Sequence, residues 1–420
     1  MKKSDILSND FLDRLAVVYG ENGAKSQQDR YYALAEAFEE AFGVSDELRF
    51  FSAPGRTEVG GNHTDHNNGK VLAAAINLDA IAVVAPSGDS YITVNSVGYA
   101  PLKVDSSDLE IKAEEEAKSD ALIRGICARF EQLGYKYGGF NAAVTSQVLS
   151  GSGLSSSAAY EVLIATALNY IYNDGKISPV EIAQISQYAE NVYFMKPCGL
   201  MDQMACSVGG FVKIDFEDTD KPVIEKVDFD ISAYSHELCI IDTGGNHADL
   251  TGDYAAIRLE MNSVAEFFGK KVLRQVDEAD VFANIGDIRK KTGDRAIERA
   301  LHFYNENKRV ERLADALSKG DFDEFKQIII ESGKSSYMYN QNCFTLSAPN
   351  EQPVALALCV AEELLKGKGA YRVHGGGFAG TIQVFLPVTE TANFVSAMSK
   401  IFGEKSCYIL SIRSHGGCEV

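Results

Sequence analysis

The chain has 420 residues, of which 45% are hydrophobic and 24% charged, and its formal net charge is −19. This length suits two or three domains with their own cores, and the composition is that of a globular protein. The strong negative charge disfavours nucleic acid and anionic membranes as partners, because both would repel the chain at long range.

The sequence contains no window that approaches the roughly 20 apolar residues of a membrane span. Its N-terminus lacks the apolar centre of a signal peptide. The eight cysteines form no Cys-x-x-Cys pair, so we expect reduced and mostly buried thiols rather than disulfides or zinc. These features predict a cytoplasmic protein, and they leave its oligomeric state undetermined, with a monomer as the expected form.

Hydrophobic periodicity and turn residues predict helices and strands that alternate irregularly along the chain. Helices are expected at residues 29–43, 160–172, 178–194, through much of 255–335, at 352–366 and at 389–402. Strands are expected at 49–53, 76–85, 91–97, 140–148, 210–216, 237–242, 381–386 and 406–413. This order favours an α+β fold over a doubly wound parallel sheet. A polar turn at 217–222 suggests two domains, residues 1–225 and 226–420.

The most informative segment is the glycine- and serine-rich run at residues 150–159, which joins a predicted strand to a predicted helix. Glycines let the backbone approach an anion, and the first helical turn offers free N–H groups. The run is neither a Walker A loop nor a dinucleotide fingerprint. A simple turn that caps a helix is the alternative. The candidate residues for binding the phosphates of a nucleotide are Gly151, Ser152, Gly153, Leu154, Ser155, Ser156 and Ser157.

A second polar segment, residues 54–69, lies between predicted strands and contains four glycines and two histidines. A solvated loop would explain its polarity, but not the apolar run 71–76 that follows directly. Polar side chains packed between strands favour a small polar ligand such as a sugar. A metal site built from His63, Asp65 and His66 is disfavoured, because three close residues on a turn rarely complete one.

Two further segments look functional. Residues 197–203 place Asp202 in a tight turn beside Gly199, just after a predicted helix that carries Glu190. A second glycine-rich turn lies at residues 375–380. An ordinary cap and an ordinary connection are the alternatives. Two glycine-rich turns in one chain suit a nucleotide held from two sides.

Together these segments resemble the GHMP small-molecule kinases and, within them, the galactokinases. The galactokinase signature Gly-Arg-x-Asn-x-Ile-Gly-Glu-His-Thr-Asp-Tyr is similar to residues 55–66 of this chain. The phosphate loop Gly-x-Gly-Leu-Ser-Ser-Ser-Ala is intact from Gly151. The family segments Pro-Cys-Gly-Ile-Met-Asp-Gln and Gly-Gly-Gly-Phe-Gly-Gly appear with single changes, Leu200 and Ala379. A Glu-Asn-x-Arg-Val helix is present at 306–310.

The resemblance implies an α+β, two-domain GHMP kinase fold, with an N-terminal domain of ribosomal S5 type and a ferredoxin-like C-terminal domain. It also implies that ATP with Mg²⁺ transfers its γ-phosphoryl group to the anomeric hydroxyl of galactose. Such a transfer depends more on positioning and charge neutralisation than on covalent chemistry. The partners would be ATP and a galactose-like sugar.

The resemblance further assigns roles to individual residues. Ser156 and Glu190 would hold Mg²⁺. Asp202 would act as the base on the C1 hydroxyl, or would orient that hydroxyl, and Arg56 beside it would keep it ionised. The substrate-binding residues would be Asn62, His63, Asp65, Gly199 and Tyr254.

The sugar signature departs from the family pattern at several positions. Asn62 replaces a glutamate, Glu58 an asparagine, His66 a tyrosine and His374 a threonine. The neutral amide of Asn62 would relieve repulsion against a carboxylate at C6, so a kinase for a C6-modified galactose such as galacturonate is the alternative. A non-catalytic galactose and ATP sensor is a second alternative, which the intact phosphate loop disfavours.

Overall fold

A computed structural model describes residues 1–148, 153–196, 198–245 and 250–420. The chain forms two compact units. Unit 1 comprises residues 1–56, 75–210 and 413–420, and unit 2 comprises residues 57–74 and 211–412. The predicted division of the sequence at residue 225 stays a prediction.

Helices and strands are mixed throughout the chain, which confirms the α+β class. The strands are β1 (Arg49–Gly60), β2 (Lys70–Pro86), β3 (Tyr91–Ser96), β4 (Leu102–Asp105), β5 (Phe140–Ser146), β6 (Phe211–Asp215), β7 (Val223–Val227), β8 (His236–Asp242), β9 (Ala370–His374), β10 (Thr381–Pro387), β11 (Cys407–Leu410) and β12 (Cys418–Glu419). The helices are α1 (Asn9–Tyr19), α2 (Glu21–Phe42), α3 (Ser119–Leu133), α4 (Ser156–Tyr172), α5 (Pro179–Tyr188), α6 (Met201–Val208), α7 (Thr251–Phe267), α8 (Glu278–Ala283), α9 (Ile285–Thr292), α10 (Asp294–Ser318), α11 (Phe322–Ser335), α12 (Pro353–Leu365) and α13 (Val388–Phe402). Among the described residues, none of these helices has the length and apolar character needed to cross a membrane.

In unit 1 the strands follow the order β12-β1-β2-β5-β3-β4. Strand β5 pairs antiparallel with β2 and parallel with β3. Because β5 is buried between two neighbours, its end is a fixed point from which the chain runs towards α4. The glycine- and serine-rich segment lies in that connection, as the sequence predicted.

Helices α1 and α2 pack over the sheet of unit 1. Tyr31, Leu34 and Phe38 are buried, as their helical spacing predicted. The rings of Phe11 and Phe50 meet edge to face, 5.0 Å apart. Helix α2 begins earlier than expected, because one of the residues that its first half buries is the polar Gln28, whose Nε2 donates to the carbonyl of Ile6 at 2.7 Å. Apolar periodicity does not detect such a residue.

Unit 2 contains a four-stranded antiparallel sheet in the order β11-β8-β10-β9. Helices α12 and α13 pack on this sheet and enclose a core that includes Ile241, Val384 and Met398. Helices α7 to α10 form a second core around Met261 and Phe303. The start of β2 pairs with β6 in this unit, and β6 pairs with β7. The chain between β1 and β2 therefore turns back within nine residues, at positions 61–69.

Candidate active site

The phosphate-loop segment ends at the N-terminus of α4 in unit 1. Gly151 and Ser152 lie outside the described residues. Gly153 has a φ of +71°, and Ser155 has a φ of +61°, a left-handed conformation that is uncommon for a residue with a side chain. Helix α4 begins at Ser156, so Ser156 and Ser157 belong to its first turn. The first-turn N–H groups of a helix are suited to hold an anion.

Asp202 lies in the first turn of α6 and is bound by two residues from other parts of unit 1. Arg56 donates to it twice, from Nε to Oδ1 at 2.7 Å and from Nη2 to Oδ2 at 2.8 Å. The hydroxyl of Ser155 donates to Oδ2 rather than capping α4. Burial alone would raise the pKa of Asp202, but the charge of Arg56 and these hydrogen bonds outweigh it and lower the pKa. The side chain of Asp202 is 33% exposed, so protein encloses it only in part.

Arg56, on β1, also connects this strand to the phosphate-loop segment. Its Nη1 donates to the carbonyl of Gly153 at 2.5 Å, and its backbone N–H donates to the carbonyl of Leu154 at 3.1 Å. Leu154 is buried, which anchors the segment. One arginine thus fixes both the loop and the carboxylate of Asp202.

Glu190 lies on a π-helical turn, Ala189–Tyr193, that continues α5. It is almost fully buried. Its Oε1 accepts from Lys196 Nζ at 2.7 Å and from Ser157 Oγ at 3.4 Å. The first turn of α4 is therefore within reach of this carboxylate. π-helical turns are frequent at functional sites.

Gln203 joins Glu190 to a second buried carboxylate, Glu161 on α4. Its Nε2 donates to Glu190 Oε2 at 2.7 Å and to Glu161 Oε2 at 3.0 Å. Burial and the charge of Glu190 raise the pKa of Glu161 well above its usual value. Sequence reasoning missed Glu161, Lys196 and Gln203. Gln203 follows Asp202 directly in the quoted motif, which was the available signal.

The oxygen donors of this cluster fit Mg²⁺, which prefers carboxylate and hydroxyl ligands. Glu190 supplies a carboxylate, and Ser156 supplies a half-buried hydroxyl in the adjacent first turn of α4. Among the described residues, no three His, Cys, Asp or Glu side chains are grouped as metal ligands. Mg²⁺ commonly binds through one or two carboxylates and completes its coordination shell with phosphate and water.

The turn at residues 61–69 of unit 2 contains several buried polar side chains. Gly61 has a φ of +92°, and a Cβ there would lie 2.4 Å from the carbonyl oxygen of Lys70, so only glycine fits. His63 contacts the carbonyl of Gly376 through Nε2 at 3.0 Å, and Nε2 is therefore the protonated nitrogen. Asp65 is half-buried at the start of a short 3₁₀ turn.

Three residues of helix α10 form hydrogen bonds with this turn and with the residue that follows it. His302 Nε2 donates to the carbonyl of Asn62 at 3.0 Å. Glu306 accepts from the N–H of Gly61 at 3.2 Å. Asn307 Oδ1 accepts from the N–H of Lys70 at 2.6 Å. The Glu-Asn-x-Arg-Val segment noted in the sequence thus carries the contacts that fix both ends of the turn.

The glycine-rich turn at 375–380 lies against the same region of unit 2. Tyr254 donates its hydroxyl to the carbonyl of Gly377 at 2.9 Å, and its ring meets Phe378 edge to face at 5.1 Å. Burial raises the pKa of Tyr254 to about 12. Of the predicted substrate-binding residues, the structure brings Asn62, His63 and Tyr254 onto this turn. Gly199 is exposed and belongs to unit 1.

Family profiles match two parts of the chain. The galactokinase galactose-binding signature matches residues 36–86, and the N-terminal domain of GHMP kinases matches residues 121–210. The first range contains the turn at 61–69, and the second contains Ser156, Glu190 and Asp202.

Relatives match along most of their length. A galactokinase of Streptomyces coelicolor is 30% identical over 88% of this chain and 92% of its own. A galactokinase of Actinobacillus pleuropneumoniae is 31% identical over 84% of this chain and 88% of its own. The crystal structure of Lactococcus lactis galactokinase complexed with galactose has a TM-score of 0.78 at 23% identity, covering 93% of this chain and 100% of that one. The structural likeness confirms the GHMP kinase fold. The relatives that are 30% and 31% identical show that the chain belongs to the galactokinase family.

Proposed function

We propose that the protein is an ATP-dependent kinase that phosphorylates the anomeric hydroxyl of galactose and yields galactose 1-phosphate and ADP. The observation that carries this proposal is the ionised Asp202, bound by Arg56 and by Ser155 at the entrance to the phosphate-loop helix. The galactokinase relatives support the choice of sugar.

Asp202 is proposed as the base. It accepts the proton of the anomeric hydroxyl while that oxygen bonds to the γ-phosphorus and the bond to the bridging oxygen of ADP breaks. A positioned carboxylate of this kind contributes roughly 10²–10⁴-fold to the rate. Arg56 keeps the carboxylate ionised and correctly turned, because a bidentate pair fixes orientation as well as charge.

Ser156 and Glu190 are proposed as the residues that would hold Mg²⁺, which when bound would neutralise charge on the phosphates of ATP. Gln203 turns the carboxylate of Glu190 by its hydrogen bond to Oε2. The N–H groups of the first turn of α4 are proposed to donate hydrogen bonds to phosphate oxygens of ATP. Residues 151–157 are proposed to form the rest of this phosphate site.

On the sugar side, His63, Asp65 and Tyr254 are proposed as substrate-binding residues, with Asn62 nearby and Gly199 beside the base. His63 and Tyr254 both contact the glycine-rich turn, which supports a shared ligand. A cytoplasmic location and a monomeric state stay predictions.

The test compares sugars on the purified protein. ADP formation is measured with ATP, Mg²⁺ and either galactose or galacturonate, and the product is identified by ³¹P NMR. We expect turnover of galactose and little of galacturonate. Efficient turnover of galacturonate alone would contradict the proposed substrate. Galactose binding by calorimetry without any ADP formation would indicate a sensor instead.

A further inference from the structure

The amide of Asn62 is enclosed by protein in unit 2. Its side chain is 0% exposed. Nδ2 donates to Glu58 Oε1 at 2.9 Å and to the carbonyl of Gly375 at 2.8 Å. Oδ1 accepts from Asn342 at 2.9 Å and from Ser336 at 3.3 Å. Two donors and two acceptors are the full capacity of an amide side chain, so Asn62 has no hydrogen bond left for a ligand.

Glu58, four residues before Asn62, differs from Asn62 in keeping hydrogen-bonding capacity that the described residues do not use. Its carboxylate accepts two hydrogen bonds, from Asn62 Nδ2 and from Arg372 Nη2 at 2.8 Å, and both go to Oε1. The described part of the chain provides no donor to Oε2. Oε2 is not among the fully enclosed polar atoms that lack a hydrogen bond, so it keeps some access to solvent. The side chain as a whole is 7% exposed. Oε2 is therefore the part of Glu58 that a small ligand can reach.

Arg372 fixes the Glu58 carboxylate in place. It is fully buried on β9, and its Nη1 donates to the carbonyl of Val59 at 2.6 Å. An arginine in this position needs a carboxylate partner, because an unpaired buried charge is strongly unfavourable. Glu58 supplies that partner through Oε1, and no donor within the described residues contacts Oε2.

We propose that Glu58 binds the sugar, by accepting a hydrogen bond from one of its hydroxyls at Oε2, and that Asn62 is a positioning residue that holds the carboxylate. This inference rests on the proposed function, since it names a sugar contact for the same reaction. The carboxylate missing at position 62 is thereby present at position 58. A uronate carboxylate placed against Glu58 would meet a like charge, so the site selects an uncharged hexose.

The test combines one substitution with a series of sugars. Glu58→Gln and the wild type are assayed with galactose and with its 2-deoxy, 3-deoxy, 4-deoxy and 6-deoxy analogues. Loss of a hydrogen bond to a charged group lowers kcat/KM for galactose by about tenfold to a hundredfold. We expect that loss to disappear with the one analogue that lacks the contacted hydroxyl. Glu225→Gln, which changes an exposed carboxylate on β7, is the matched control.

Two results would overturn the inference. One is an equal loss on every analogue, which is the signature of a structural role. The other is unchanged kinetics with Glu58→Gln, whatever the effect of Asn62→Ser. Glu58→Asp keeps the charge beside Arg372 and serves if Glu58→Gln does not fold, with the same sugar-specific loss expected. A wild type that phosphorylates another sugar but not galactose would refute the proposed function, and the deoxy series of that sugar would still test Glu58.

Discussion

Arg56 and Asp202, 146 positions apart in the sequence, form a two-point ion pair in unit 1, with Nε to Oδ1 at 2.7 Å and Nη2 to Oδ2 at 2.8 Å. A guanidinium in this geometry fixes the plane of the carboxylate and favours its charged form. The third hydrogen bond, from Ser155, connects the pair to the start of α4. Hydrogen bonds thus join Ser155 of the phosphate-loop segment, the proposed base Asp202 and its charge partner Arg56 into one group.

Replacing the proposed base should slow transfer strongly without loss of the fold. Asp202→Asn keeps the shape of the side chain but cannot take a proton, so kcat should fall by roughly 10²–10⁴-fold. Calorimetry should still detect galactose binding. Asp287→Asn, at an exposed position on α9, is the control. Full activity of Asp202→Asn would remove this residue from its proposed role.

The pH profile should report the Arg56–Asp202 pair. The wild-type pKa of Asp202 is lowered, so the carboxylate stays ionised into the acid range. Arg56→Met removes the charge and the hydrogen bonds, and burial then raises the pKa. The acid limb of kcat/KM should therefore move to higher pH. Arg289→Met, which removes an exposed ion pair with Asp294, should leave the acid limb of kcat/KM at the wild-type pH. An unmoved limb in Arg56→Met would show that Asp202 does not govern it.

The dependence of activity on Mg²⁺ should be sensitive to Gln203. Gln203→Met keeps the volume but removes the amide that joins Glu161 to Glu190. The Glu190 carboxylate then loses its orientation, and residues that orient metal ligands typically change affinity by about 10–100-fold. We expect a higher Mg²⁺ concentration at half-maximal rate, measured by titration at saturating ATP. An unchanged midpoint would argue against a metal at Glu190.

Two glycines of the second glycine-rich turn should respond very differently to alanine. A Cβ on Gly377 would lie 2.0 Å from the backbone oxygen of Asn342, whereas a Cβ on Gly375 meets nothing within 4 Å. Both have a positive φ, so each substitution carries the left-handed cost of about 1–2 kcal/mol. Gly377→Ala should be destabilised well beyond Gly375→Ala in denaturant unfolding. Equal losses would mean that the contact with Asn342 is not a close one.

Stability should fall in mild acid because of His302. Burial is the main reason that the pKa of His302 is lowered from 6.5 to about 4. The unfolded chain therefore binds a proton first as the pH falls, and the free energy of unfolding decreases between about 6.5 and 4. The contribution is on the order of 1 to 3 kcal/mol. His302→Gln should flatten this part of the stability curve, measured by urea unfolding from pH 7 to 4. A curve of unchanged slope would contradict the assignment.

The local elements were largely predictable because their signals lie within short windows. Ser178, Pro179 and Glu181 predicted the start of α5, and the capping box is present with Ser178 Oγ accepting from the N–H of Glu181 at 3.3 Å. The π-helical turn that displays Glu190 was not predicted, since nothing in the spacing distinguishes it from a continued helix. Strand β7 was also missed, because its residues are mostly exposed and follow a polar turn.

The sequence alone determined the family and the position of the phosphate loop, because ordered motifs of glycine, serine and charged residues are readable without a structure. It also identified Asp202, Arg56 and Glu190 as candidates. Only the tertiary structure decided which side chains are hydrogen-bond partners: Arg56 with Asp202, Gln203 with two carboxylates, and Asn62 with Glu58. These hydrogen bonds depend on how strands and helices pack, and that packing cannot be read from residue spacing. For Asn62, burial supports the proposal that this residue holds Glu58.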